Sequence, residues 1–183
     1  MQKNLFIPLA VFFFSLDGYS QDVGYRTFDA GAEYQYTKEG PAFNLQLGFN
    51  AEEHHSIVLR GGYIKVSGKT TSAHNSEAGS GWGGSIGYRY YFSVLPKRFF
   101  IGARAGLWSI SINWNVPVAE GSSKLLVLQP AFETGYTWVI NDYFFITPHL
   151  SATVQTTQST KGEEVAYGTG FTPMAGISAG WRF

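Results

Sequence analysis

The residues of this 183-residue chain that could do chemistry are few and widely spaced. His149 and Ser151 stand two apart, with Glu163 and Glu164 following in the next polar stretch. A Ser that attacks an ester, a His that takes its proton and a Glu that orients the His would make His149, Ser151 and Glu163 a hydrolytic trio. His54 and His55, beside Glu52 and Glu53, are metal-ligand types. Neighbours in an extended chain point opposite ways and fix no coordination geometry, so these four read as a polar turn and no metal is expected. The absence of Cys removes thiol nucleophiles, zinc–thiolate sites and disulfides. The Gly-rich run 81–84 precedes no helix, so it is no phosphate loop, and no cofactor is expected. What remains is an ionic set, Glu33, Arg60, Arg89, Arg104, Glu133 and Arg182, whose meaning depends on the elements that carry it.

Those elements alternate with period two, the strand period. Phe28, Ala30, Ala32, Tyr34 and Tyr36 share one face; Phe43, Leu45, Leu47 and Phe49 share the next, after the turn signal Lys38-Glu39-Gly40-Pro41. A third strand runs from about Ile57 to Val66, and a fourth carries Trp82, Ile86, Tyr88, Tyr90 and Phe92. The fifth begins with Ile101, Ala103, Ala105 and Leu107, and its apolar parity then switches to Trp108, Ile110, Ile112 and Trp114. That switch predicts a bulge near Gly106. Leu126 to Trp138, Phe144 to Val154 and Phe171 to Phe183 complete eight strands. The stretches Ser67–Gly81, Asn115–Lys124 and Thr157–Gly170 are polar and read as long loops. Ala51–His55, Ser93–Arg98 and Asn141-Asp142 read as short turns, as does Lys38–Pro41, which is short where a long loop is expected. Short turns at one end and long loops at the other suit an antiparallel transmembrane barrel.

Met1 to Ser20 reads as an export signal. Lys3 supplies the positive start, Leu5 to Leu16 a short apolar run broken by Pro8, and Gly18 and Ser20 the small residues before a cut placed between Ser20 and Gln21. The run is too short to span a bilayer. The expected mature domain is 21–183.

The two strand faces differ. One carries the ionic set with Gln35, Asn44, Gln46, Ser85, Gln129, Thr147, His149, Ser151 and Ser178, threaded by Gly31, Gly48, Gly62, Gly83, Gly87, Gly102, Gly106, Gly135, Gly176 and Gly180. Glycine gives a solvated surface nothing, but an eight-stranded lumen is just wide enough to be filled by side chains, so long Arg and Glu need small neighbours. That face is therefore the lumen, with Asp29 and His149 near an ion-pair network that plugs it. The other face is nearly free of charge and has Tyr34, Tyr36, Tyr88, Tyr90, Trp138 and Trp181, with Trp82, near the strand ends, as interfacial girdles require. Apolar lumen residues near the loop ends are few beyond Met174, which argues against a lateral opening for hydrophobic solutes. Charged residues make up 14% of the chain, against ~25% in ordinary soluble domains. The 13 basic and 13 acidic residues cancel, which leaves no electrostatic footprint for nucleic acid.

The final segment, Phe171-Thr-Pro-Met-Ala-Gly-Ile-Ser-Ala-Gly-Trp-Arg-Phe183, resembles the closing strand of bacterial outer-membrane β-barrels. With the signal and the alternation, the chain resembles the small eight-stranded group of OmpA-barrel, OmpX-like and OmpW-like proteins. The resemblance implies an all-β, eight-stranded antiparallel up-and-down transmembrane barrel in a Gram-negative outer membrane, with both ends at the periplasm. It implies lipid as surroundings, the barrel assembly machinery as a partner that reads Phe183, and polar loops open to a protein partner. No periplasmic domain of the OmpA kind is expected after Phe183. The particular role does not follow from the resemblance; the expected one is non-enzymatic, in envelope stability, interaction or adhesion, with a narrow channel for small or hydrophobic solutes as the alternative. The His149-x-Ser151 order with a later Glu163 is also similar to outer-membrane lipid A deacylases of the PagL type. Ala152 stands where that family has an Asn, and His149 and Ser151 share the lumen face, whereas such a site must face lipid.

Overall fold

The computed structural model describes residues 26–51, 54–69, 76–93, 97–116, 119–162 and 170–183. The expected export signal and Glu163 lie outside the described residues. Eight strands follow in chain order: β1 Phe28–Thr37, β2 Gly40–Ala51, β3 His55–Lys69, β4 Ser76–Tyr91, β5 Lys97–Val116, β6 Ala119–Ile140, β7 Phe144–Lys161 and β8 Gly170–Arg182. Each pairs with the next, and β8 returns to β1, giving one closed antiparallel barrel. The all-β eight-stranded fold read from the alternation is the fold observed. Closure pairs every strand edge that a flat sheet would leave exposed.

Two expectations are corrected. The strands run well into the polar stretches: β3 continues to Lys69, β4 begins at Ser76, β7 continues to Lys161, and β6 already begins at Ala119. Nor does a bulge interrupt β5. Its pairing with both neighbours runs straight through Gly106, which lies opposite Ser85 on β4 and Gln129 on β6. Register shifts occur instead between Val66 and Lys69 on β3 and between Leu126 and Val127 on β6.

The physical reason is a reversal of polarity, with side-chain parity unchanged. Below Trp108, β5 turns Ile101, Ala103, Ala105 and Leu107 outward; above it, the outward residues are Ser109, Ser111 and Asn113, all exposed but the partly covered Ile101. The same change falls between Tyr63 and Lys65 on β3, Trp82 and Ser80 on β4, Leu126 and Lys124 on β6, and Val154 and Thr156 on β7. Inside, the order is opposite. Trp108, Ile110 and Ile112 join Ala42, Ile64, Val66, Leu125 and Val127 in one apolar cluster with exposures of 0–6%. The upper barrel is thus built like a water-soluble protein, and the lower barrel like its inverse. The expectation that the upper lumen holds few apolar groups beyond Met174 is corrected by the same cluster.

On the outer face the aromatic rings gather at two levels. Tyr34 meets Phe43 at 5.0 Å and Tyr63 meets Trp82 edge-on at 5.1 Å, just below the polarity change. At the opposite end, Tyr136 meets Trp138 at 5.1 Å and Phe144 meets Trp181 at 5.5 Å. Leu45, Leu47, Ile57, Leu59, Ile86, Leu150 and Ile177 lie between, all strongly exposed. The tight turn closing β6 onto β7 puts Asn141 and Asp142 at φ 51° and 60°, a left-handed pair that Asn and Asp tolerate.

Candidate functional site: the ionic centre of the lumen

Side chains of successive strands are brought to one depth because inward positions alternate and the barrel is narrow. Glu33 on β1, Arg60 on β3, Arg89 on β4 and Glu133 on β6 meet there, each nearly inaccessible. Arg60 Nε donates to Glu33 Oε2 at 3.0 Å, and Arg60 Nη2 donates to Glu133 Oε2 at 3.1 Å. Arg89 Nε donates to Glu133 Oε1 at 2.8 Å, and its guanidinium lies 4.4 Å from the Phe100 ring centroid. Glu33 Oε1 also accepts from Gln35 Nε2 at 2.6 Å and from Asn44 Nδ2 at 3.2 Å. One guanidinium therefore bridges two carboxylates on opposite walls, and the second carboxylate holds another guanidinium. In a low-dielectric interior such an array is stable only when nearly every member has a partner.

Two residues expected in this network stand apart from it. Arg182 lies at the mouth where the chain ends meet, and its Nε donates to Asp29 Oδ1 at 2.9 Å. It forms a separate pair two inward positions from the centre, because β1 and β8 align Asp29 with Arg182 and Glu33 with Ser178. Arg104 lies on the other side of the centre. Its Nη2 donates to Gln35 Oε1 at 3.2 Å and approaches Met174 Sδ at 3.6 Å, and no carboxylate among the described residues pairs with it.

His149 and Ser151 are side by side on the inner face of β7. His149 Nε2 is 3.6 Å from Glu33 Oε2, beyond hydrogen-bond reach, and its ring occupies space left by Gly176, where a Cβ would stand 2.5 Å from Nε2. No hydrogen bond joins His149 to Ser151 among the described residues. Ser151 Oγ is buried without a partner. Both side chains face the lumen as their parity requires, away from the lipid-facing side of the strand.

The remaining sequence candidates are surface features. Tyr34, Tyr36, Tyr88, Trp138 and Trp181 are exposed on the outer face, and Tyr90 is half-covered by neighbouring rings. His54 stacks on Tyr90 at 5.8 Å with Nδ1 2.6 Å from the Tyr91 carbonyl, and His55 Nδ1 is 2.5 Å from the Tyr88 hydroxyl. These two histidines belong to the aromatic belt. Phe183 exposes its ring, while its backbone exchanges hydrogen bonds with Phe28 at 2.7 and 3.3 Å, closing the barrel seam. Sequence reasoning missed Trp108 as a lumen residue. The signal for it was the alternation of Ser109, Ser111 and Asn113 with Trp108, Ile110 and Ile112, which shows that polarity reverses while the register holds.

No protein-family profile matches the chain, and no curated protein is similar to it in sequence. Solved structures are similar in fold. The outer membrane protein OprG from Pseudomonas aeruginosa is similar with a TM-score of 0.58 at 10% identity, over 88% of this chain and 99% of that one. Neisserial surface protein A has a TM-score of 0.54 at 12% identity, covering 85% of this chain and 94% of its own. The N-terminal β-barrel domain of Pseudomonas aeruginosa OprF has a TM-score of 0.53 at 14% identity, with 85% and 96% covered. The chain has the fold of small eight-stranded outer-membrane barrels.

Proposed function

We infer that the chain is an integral outer-membrane barrel with a closed lumen and a non-enzymatic role, a stable piece of envelope that presents its tall β4–β7 rim for interaction or adhesion. One observation carries this reading: polar and ionic side chains are buried inside while leucine, isoleucine and aromatic side chains are exposed outside. Such a surface is intolerable in water and is what a bilayer requires. The outer face is charge-free between the aromatic belts, where an Arg or Lys near mid-membrane would cost ~2–4 kcal/mol. The ring of Phe183, exposed beside the closing seam, suits the barrel assembly machinery as the partner during biogenesis, and Met1–Ser20 suits export. The Glu33–Arg60–Glu133–Arg89 array spans the bore and supports a plug.

The test has two parts. Purified protein folded in detergent should migrate differently on a gel before and after boiling; a chain that stays in solution without detergent would overturn the membrane assignment. In planar bilayers it should give no large, steady conductance, and the appearance of one would overturn the plug.

A second reading, a narrow route for hydrophobic solutes, is favoured by the apolar upper lumen. The cluster from Ala42 to Val127 is closed at rest, so this reading requires it to part. Uptake of a hydrophobic dye into vesicles holding the protein, compared with empty vesicles, separates the two.

A further inference from the structure

The charges at the centre do not balance. Arg60, Arg89 and Arg104 face Glu33 and Glu133, so one positive charge is in excess, and a charged His149 would only add to it. A single uncompensated charge in a low-dielectric interior is strongly unfavourable unless a counter-charge is supplied. The next carboxylates along the lumen have contacts of their own, although Glu39 Oε2 is buried without a hydrogen bond. Glu39 accepts from Thr172 Oγ1 at 3.3 Å and pairs with Lys38 at 3.6 Å, and Glu77 has partners of its own. The excess resides on Arg104, whose hydrogen-bond partners are a neutral amide and a thioether.

Hydrogen-bond donors without acceptors gather around the same guanidinium. Trp108 is four residues along β5 from Arg104, two inward positions away on the same face, and its indole folds back over Gly106, where a Cβ would stand 3.1 Å from Nε1. That Nε1 is buried and donates to nothing. Gln129 lies directly across from Gly106, and its Nε2 finds only Met174 Sδ at 3.9 Å. Ser151 Oγ, opposite Met174, is buried and unpaired as well. Glycine at position 106 is what allows the indole to tip toward Arg104.

We propose that Arg104, Trp108 and Gln129, with Ser151 beside them, form an internal site for a small monovalent anion of the halide class. The guanidinium supplies the charge, and the indole and amide N–H groups supply direction, with only neutral acceptors, Gln35 Oε1 and Met174 Sδ, competing for them. The site is a structural counter-ion position and does not require the lumen to conduct, so it stands or falls apart from the plug.

Crystals of the detergent-folded protein grown with sodium bromide in place of chloride test it directly. Anomalous scattering at the bromine edge should show one peak beside Arg104 and Trp108 Nε1, lost in Arg104→Met. In solution, the wild type should unfold at a higher temperature in chloride than in gluconate of equal ionic strength, and Arg104→Met should show no such difference. If Arg104→Met does not fold, Trp108→Phe keeps the charge and removes one donor, and it should weaken bromide roughly tenfold, the effect of one charge-assisted hydrogen bond. A well-defined wild-type map with water and no bromide at the site, or a bromide peak unchanged in the folded variants, overturns the proposal.

Discussion

Arg60 and Glu133, separated by 73 residues in sequence, meet at 3.1 Å across the middle of the barrel. The contact ties β3 to β6, strands that are not neighbours in the sheet, and it works only because Glu33 and Arg89 complete the charges on either side. The lumen is held by an array in which each member makes its neighbour affordable.

Removing one carboxylate from that array should be costly. Glu133→Gln leaves Arg89 buried without a carboxylate and Arg60 with Glu33 alone, and a broken buried ion pair costs ~3–5 kcal/mol. Asp29→Asn breaks the Arg182 pair at the partly open mouth, where the Asp29 side chain is 14% exposed, and should cost less. Urea unfolding of both variants in detergent micelles, followed by the gel shift, ranks them. Equal stabilities would mean that the central array contributes nothing beyond the mouth pair.

Gly176 and His149 are coupled by space. A methyl group at position 176 would meet the His149 ring at 2.5 Å, so Gly176→Ala should destabilise by ~1–3 kcal/mol through overpacking. Shortening the ring to His149→Ser should relieve most of that penalty, and the double variant should fall well short of the summed single effects. A strictly additive double variant would show that the glycine serves the backbone and not the ring.

Much of this was legible in sequence, for physical reasons that also mark the limit. Period-two alternation places Glu33, Arg60, Arg89, Arg104 and Glu133 inside without reference to any structure, and the inward glycines identify a crowded lumen. Pairing among those five was not legible, since it depends on stagger between strands: Arg182 shares their parity but sits at another depth. The reversal at Trp108 was misread as a bulge because the alternation reading assumed one environment along each strand. A strand that leaves the bilayer keeps its geometry and exchanges the preferences of its two faces.

The level of that exchange can be measured by charge. Ile86 faces outward in the apolar band and Ser111 faces outward above it, on neighbouring strands. Ile86→Arg should destabilise the barrel in lipid vesicles by ~2–4 kcal/mol, and Ser111→Arg by ~0–1 kcal/mol, since the cost of charge falls toward the interface. Refolding into vesicles and unfolding by guanidinium gives both values. If Ser111→Arg costs as much as Ile86→Arg, the polar outer wall lies within the bilayer and the assigned boundary is wrong.

The apolar cluster above the ionic centre gives the sharpest choice between a core and a duct. Ile110 is 1% exposed and contributes to the cluster with Ile112, Leu125 and Val127. If the cluster is a packed core, Ile110→Ala removes buried methyl groups and leaves a cavity, costing ~2–5 kcal/mol. Uptake of hydrophobic dye into vesicles should then be unchanged, because a void lined by closed walls opens no path. If the cluster is a duct that parts for solutes, the same truncation widens its narrowest layer and should raise dye uptake with little loss of stability. The tight packing around Ile110 leads us to expect the first outcome, with a large stability loss and a flat uptake curve; increased uptake with native stability would favour the solute route.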